Sequence, residues 1–362
     1  MFMQALAAAN WRALTTANIH FSAGVARAAL RRCVAGPRLP TWSWTFECIV
    51  AGLAATLPQD SAGGLDTLRA AVDQGGLLAI PRAVKVTDAV AAGVPVEWLR
   101  GPRSATDAVL LYLHGGGYLF GSPRSHRALA AALVQATGMQ ALLPSYRLAP
   151  EHPYPAALED AWAAYWWLLD QGIAPERIVL AGESAGGGLT IALLLALRDA
   201  GLPLPACAVC ISPWVDMTLS SPSLHTNAAT DYLNLAGLRA AVPLVLAGAD
   251  PHTPTISPVF ADLHGLPPLL IQAGTAELLY DDARRLAHRA ADDGVAVQFE
   301  PWENMVHAWH ILFAFEPAAR SAIRRIAQFV HGHVHVTSMP PLGGAPALSP
   351  RQPSAPEGVH HI

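Results

Sequence analysis

Short apolar runs alternate with longer amphipathic stretches, and these two periods assign most of the chain. Beyond residue 80, "AVKVTDA" and "VPVEWLRG" (83–101), "DAVLLYLH" (107–114), "MQALLPSY" (139–146) and "RIVLAGE" (177–183) read as strands. So do "ACAVCISP" (206–213), "PPLLIQAG" (267–274) and "AVQFEPW" (296–302). Helical patterns fall between them at 124–138, from 154, at 185–200, at 281–294 and near 313–331. Short apolar strands alternating with helices predict an α/β fold, a mostly parallel central sheet flanked by helices on both faces. Residues 217–260 break this rhythm and read as an inserted helical excursion. Residues 1–75 read as alanine-rich helices with a turn at "GPRLP" (36–40). The tail, 337–362, holds six prolines and three glycines and is expected to be disordered.

Composition narrows the picture. The 362 residues are 52% apolar and 14% charged, enough for a sizeable core in one large α/β domain or two smaller ones. No run approaches the ~18 to 20 uninterrupted apolar residues of a membrane span. A net charge of −4 without a long basic run argues against a nucleic-acid surface. Cys207 and Cys210 form a C-x-x-C, but inside a strand residues three apart point to opposite faces. With no second such pair, neither zinc nor redox chemistry is expected; Cys33 and Cys48 are expected to be buried thiols. The N-terminus lacks a basic stretch followed by an unbroken apolar core, so a secretory signal is not expected and a reducing, cytoplasmic setting is.

Two glycine-rich loops carry the candidate chemistry. "HGGG" (114–117) ends one strand, and "GESAGGG" (182–188) joins the next to a helix. Neither fits a phosphate cradle. Phe120 stands where a dinucleotide fingerprint starting at Gly115 needs glycine, and Gly188 where a Walker A loop needs lysine. "GESAG" does match G-x-S-x-G, in the strand–turn–helix setting that a nucleophile elbow requires. Ser184 then projects from a sharp turn, Gly182 and Gly186 must be small, and the Ala185 N–H points into the same space. Such a serine needs a base, and the base an orienting acid. With an elbow these follow in the order acid, then histidine. His307, in "ENMVHAWH" after strand 296–302, stands where the base belongs, with His310 its rival. His114, His152 and His264 lie too early, and His360 and His361 end the tail. For the acid, "AGTAELLYDDA" (273–283) offers Glu277, Asp281 and Asp282. Glu277 lies three residues beyond Gly274, on the loop leaving the sheet. Asp281 and Asp282 suit the first turn of the next helix, where its dipole favours acids.

"HGGG", "YRLAPEHPYPAALED" (146–160), "GESAGG" and "ISPWVD" (211–216) together resemble the hormone-sensitive lipase family of α/β-hydrolases, in its bacterial esterase branch. The resemblance covers roughly residues 75–332. It implies an α/β-hydrolase catalytic domain (76–216 and 261–332) under a helical cap built from residues 1–75 and 217–260. It implies Ser184 as nucleophile, His307 as base, and oxyanion-hole N–H groups from Gly116 and Gly117 (or Gly115 and Gly116) with Ala185. His114, Gly182, Glu183 and Gly186 support the site, His114 by a hydrogen bond that holds its loop. Arg147, Glu151 and Asp160 are expected in positioning contacts. Most of the family carries Asp-Pro-Leu at the acid; aligning "ELLYDD" with it makes Glu277 the third triad member, with Leu278 in place of proline. The implied activity is hydrolysis of short- to medium-chain or aromatic esters through an acyl-enzyme, without metal or cofactor. A deacetylase or amidase for one small metabolite is a second reading. A small-ligand receptor on a hydrolase scaffold is a third, although such receptors have lost the histidine base. The resemblance also implies a small ester as partner and a homodimer through the last strand, about 295–301.

Overall fold

The computed structural model describes residues 2–57, 64–74 and 80–335; the tail expected at 337–362 lies outside the described residues. Three helices come first: α1 (Phe2–Ala35), α2 (Trp44–Thr56) and α3 (Leu65–Gln74). Eight strands follow: β1 (Lys85–Ala91), β2 (Val94–Arg100), β3 (Ala105–Leu113), β4 (Met139–Pro144), β5 (Ile178–Glu183), β6 (Cys207–Ile211), β7 (Leu269–Gly274) and β8 (Val297–Trp302). They form one sheet in the order β1-β2-β4-β3-β5-β6-β7-β8. β1 and β2 pair antiparallel, as do β2 and β4; every later pairing is parallel.

Parallel strands need crossovers, and the helices supply them. They are α4 (Pro123–Thr137), α5 (Ala156–Asp170), α6 (Ala185–Asp199), α7 (Ser223–Thr226), α8 (Leu235–Leu246) and α9 (Tyr280–Asp292); α10 (Pro317–His333) follows the last strand. The period of two along each strand divides the core. In β3, Val109, Leu111 and Leu113 join α5, α6 and α9, while Leu110 and Tyr112 join α4 and α10. Because both faces are covered, the central strands have no polar side, and their apolar runs follow directly. Cys210 and Cys207 take opposite faces of β6, as their spacing predicts. Cys33 departs from expectation. It lies on the solvent side of α1 and is exposed, because Gly24 and Ala28 form the face that meets α2 and the core.

α1 and α2 are clamped by charge. Glu47 of α2 is buried, and both Arg31 and Arg32 bond its carboxylate, Arg32 at 2.6 Å. Burial alone raises the pKa of Glu47, but the two arginines outweigh it and hold the group below its ordinary value. Trp42, Phe46 and Val50 pack on Met305, Val306, Trp309 and Leu312, which fixes the helix pair to the loop after β8. The Trp42 indole N–H donates to the Asn304 carbonyl at 2.6 Å. No helix among the described residues is long and apolar enough to cross a membrane.

Glu47→Gln removes the negative charge and one of the two acceptor oxygens that the partly exposed arginines share, and is expected to cost about 1–3 kcal/mol. Thermal denaturation should show a lowered midpoint. An unchanged midpoint would mean that apolar contacts alone hold α1 to α2.

Candidate active site

The site gathers at the carboxyl ends of β3, β5, β6, β7 and β8, where open α/β sheets place ligands. Ser184 stands between β5 and α6 with φ 58° and ψ −123°, a conformation that costs about 1–3 kcal/mol for a residue with a side chain. Its surroundings fix that backbone. The Ser184 N–H donates to the Ile211 carbonyl (2.9 Å), and the Ser184 carbonyl accepts from Trp214 (2.9 Å) and Gly188 (3.1 Å). The flanking glycines are steric requirements. A Cβ on Gly182 would lie 2.2 Å from the Gly186 carbonyl oxygen, and one on Gly186 would lie 2.0 Å from that of Leu113.

The 114–117 loop meets the elbow at that second contact. Gly115 does not contribute a free donor: its N–H bonds the Glu183 carboxylate at 2.6 Å. This corrects the expectation that Gly115 can serve the oxyanion. The N–H groups of Gly116, Gly117 and Ala185 make no hydrogen bond among the described residues. Glu183 is buried, and His126 Nε2 lies 2.9 Å from it. Burial opposes both charges, yet each partner outweighs it for the other, so Glu183 is held acidic and His126 is raised. His114 bonds the Gly115 carbonyl through Nδ1 at 2.7 Å, its ring stacked 4.1 Å from Tyr146. Burial lowers its pKa to about 3, so it stays neutral and holds the loop.

Glu277 and His307 come together, both buried. Glu277 follows β7 and His307 follows β8, and Glu277 Oε2 lies 3.9 Å from His307 Nδ1. That Nδ1 and the Glu277 Oε1 have no hydrogen-bond partner, while Oε2 accepts from Ser212 Oγ at 2.7 Å. Burial pushes Glu277 well above the ordinary carboxyl range, and the Asp231 carboxylate adds to this. Burial also lowers His307 to about 4. Both shifts penalise a charge that lacks its partner. Closing the gap by about 1 Å would make a hydrogen bond of normal length that favours imidazolium and carboxylate together.

The rivals are engaged elsewhere. His310 Nε2 pairs with the Gln272 side chain at 2.7 Å. Asp282 accepts from the N–H groups of Val215 and Asp216, each at 3.1 Å, and Asp281 from that of Ser223 at 2.9 Å. Both acids stand in the first turn of α9.

Comparison with known proteins gives the family. A family model for the alpha/beta hydrolase fold matches residues 110–311. The chain is 51% identical over 235 residues to an acetyl-hydrolase of Streptomyces hygroscopicus, spanning 65% of this chain and 78% of that protein. It is 38% identical over 240 residues to an esterase of Acinetobacter venetianus, spanning 66% and 79%. Among solved structures, an esterase from the bacterial hormone-sensitive lipase family superposes with a TM-score of 0.75 at 43% identity, covering 78% of this chain and 94% of that one. The chain belongs to the hormone-sensitive lipase family of α/β-hydrolases.

Several further polar groups of this hydrolase tie the surrounding loops together. Ser212, at φ 46°, links Glu277 to the base loop by accepting from the Ala308 N–H at 3.0 Å. Arg69 of α3 donates to the carbonyls of Leu119 (2.7 Å) and Ala149 (2.8 Å). It also grips Glu151 through two bonds, holding that acid down to about 2. Arg147 bonds Asp160 at 3.0 Å and Glu159 at 2.8 Å, a positioning contact as expected. Asp262, His264 and Asp293 form the one group, among the described residues, with ligand atoms close enough for a metal ion; it includes none of the site residues.

Since burial lowers the His307 pKa from 6.5, the imidazole should be neutral at pH 6 and gain its proton only as pH falls towards about 4. Titration of its ring resonances by NMR in the free protein checks this. A midpoint at or above 6.5 would mean that the contact with Glu277 is already closed in solution.

Proposed function

We propose that this protein is a serine carboxylesterase that hydrolyses small carboxylic esters through an acyl-enzyme. One observation carries the reading: Ser184 stands on a strained elbow beside three free backbone N–H groups, with a buried Glu277–His307 pair on the adjoining loops. In the proposed reaction Ser184 Oγ attacks the ester carbonyl carbon, and its proton passes to His307 Nε2. The carbonyl oxygen gains negative charge, which the N–H groups of Gly116, Gly117 and Ala185 stabilise by donating hydrogen bonds to it. Each such donor is worth about 10²–10³ in rate. The tetrahedral intermediate collapses, the C–O bond to the alcohol breaks, and His307 returns the proton to the departing oxygen. Water, deprotonated by the same imidazole, then attacks the acyl-enzyme and frees the acid and Ser184. Glu277 orients the ring and stabilises the imidazolium at each transfer.

Helices α1–α3 and the excursion with α7 and α8 act in this reading as a cap over the site. Packing of Trp42 on the base loop and the edge contact of Tyr232 with His307, rings 6.0 Å apart, support a closed pocket for short and medium acyl chains. A second reading, removal of an acetyl group from one small metabolite, is favoured by the acetyl-hydrolase that shares 51% identity. A receptor without catalysis is disfavoured by the retained His307. We also propose a cytoplasmic setting, supported by four free cysteines, and a homodimer through the edge strand β8.

Ser184→Ala and His307→Ala should each lower ester hydrolysis by ~10⁴-fold or more, and Glu277→Gln should lower kcat by ~10²–10⁴-fold with KM little changed. Asp282→Asn should keep kcat and lower the unfolding midpoint, because its carboxylate ties loops rather than the base. A near-normal Glu277→Gln beside a dead Asp282→Asn would reassign the acid. A panel of p-nitrophenyl esters of increasing acyl length should peak at short or medium chains. A peak at acetate alone favours the acetyl reading, and preference for long-chain emulsions would count against a closed pocket.

A further inference from the structure

The segment before α8 reaches both loops that carry the Glu277–His307 pair. Asp231 is 5% exposed, and both its carboxylate oxygens are engaged. Oδ1 accepts from the N–H groups of Tyr232 (2.8 Å) and His307 (3.1 Å), and Oδ2 from that of Leu278 (2.8 Å). Two neighbours hold the same acid loop. Asn227 Nδ2 donates to the carbonyls of Thr275 (3.0 Å) and Glu277 (2.8 Å), and Thr230 Oγ1 donates to that of Ala276 (2.8 Å). Residues 227–231 therefore grip every residue from 275 to 278 and the backbone of His307 itself.

A buried carboxylate without a cation is costly unless several donors satisfy it. Its distinctive capacity is to accept on two oxygens at once, which an amide of the same shape lacks. Here one oxygen holds the base loop and the other the residue after Glu277. We propose that Asp231 is a positioning residue for the base, setting the Glu277–His307 separation from within the cap segment; the role rests on the esterase reading. With both backbones referenced to one carboxylate, the 3.9 Å gap closes from a fixed start, by side-chain rotation or by movement of 227–231 as a unit.

Asp231→Asn preserves volume but leaves one acceptor oxygen, so it releases one of the two loops. On a short-chain p-nitrophenyl ester, kcat should fall about 10–100-fold while KM stays within ~3-fold. In the Glu277→Gln background the same change should cost less than ~3-fold, because the pair it positions is already broken. A purely structural role gives equal losses in both backgrounds; that result, or an unchanged kcat, overturns the proposal. If Asp231→Asn does not fold, Thr230→Val decides by the same two measurements, with a kcat loss of ~3–10-fold expected in the wild-type background alone. A wild type that hydrolyses no ester and takes no fluorophosphonate at Ser184 defeats the esterase reading as well. An active wild type with an indifferent Asp231→Asn defeats only the positioning role.

Discussion

The site depends on a contact too tight for a side chain: the first turn of α6 lies directly against the end of β3. Gly186 sits where a Cβ would be 2.0 Å from the Leu113 carbonyl oxygen. That closeness brings the 114–117 loop beside Ser184 and forces the turn between β5 and α6 into its strained conformation. Parallel pairing of β5 with β3 and β6 provides the resistance, since the strand cannot retreat without breaking two ladders. Strain of this kind persists only where the surroundings over-determine it. Here three backbone hydrogen bonds through Ser184 do so.

Around that rigid centre, buried and half-buried ionisable groups organise the loops and appended helices. Glu183 joins the glycine loop to α4 through Gly115 and His126. Arg69 ties α3 to the same loop, and Asp282 ties the β6 loop to α9. In each case a charged group bonds backbone atoms of a distant segment. An apolar contact would tolerate sliding; a charged group with several backbone partners does not. The price is that Glu183 and Asp282, once their partners are removed, are left buried and unsatisfied.

The sheet was legible because burial on both faces imprints an apolar run on each central strand, and all eight segments read as strands became strands, the half-exposed edges β1 and β8 included. Ser184, Gly182 and Gly186 were legible because the elbow's sterics are local. Glu277 and His307 could be placed by strand order, which says which loops meet but not how closely, so the 3.9 Å gap lay beyond it. Gly115 was misjudged because its N–H is claimed by Glu183, a partner 68 positions away. His126 and Asp231 act through contacts of the same long-range kind, and nothing in their own neighbourhoods marks them; Ser212 lies in a quoted motif, but its link to Glu277 spans 65 positions. Cys33 was placed inside because a thiol is usually buried, and the outward face of α1 overrode that tendency.

The anchoring of α2 on the loop after β8 also constrains how the chain is made. Trp42 and its acceptor Asn304 are 262 positions apart. At ribosomal rates, the first helices wait on the order of tens of seconds for the segment that covers them. Through that interval Trp42, Phe46 and Val50 lack the partners that cover them in the folded chain. Correct synthesis of this protein is therefore a race between its last strand and aggregation, and holdase chaperones that shield apolar helices have their longest opportunity at its N-terminal end.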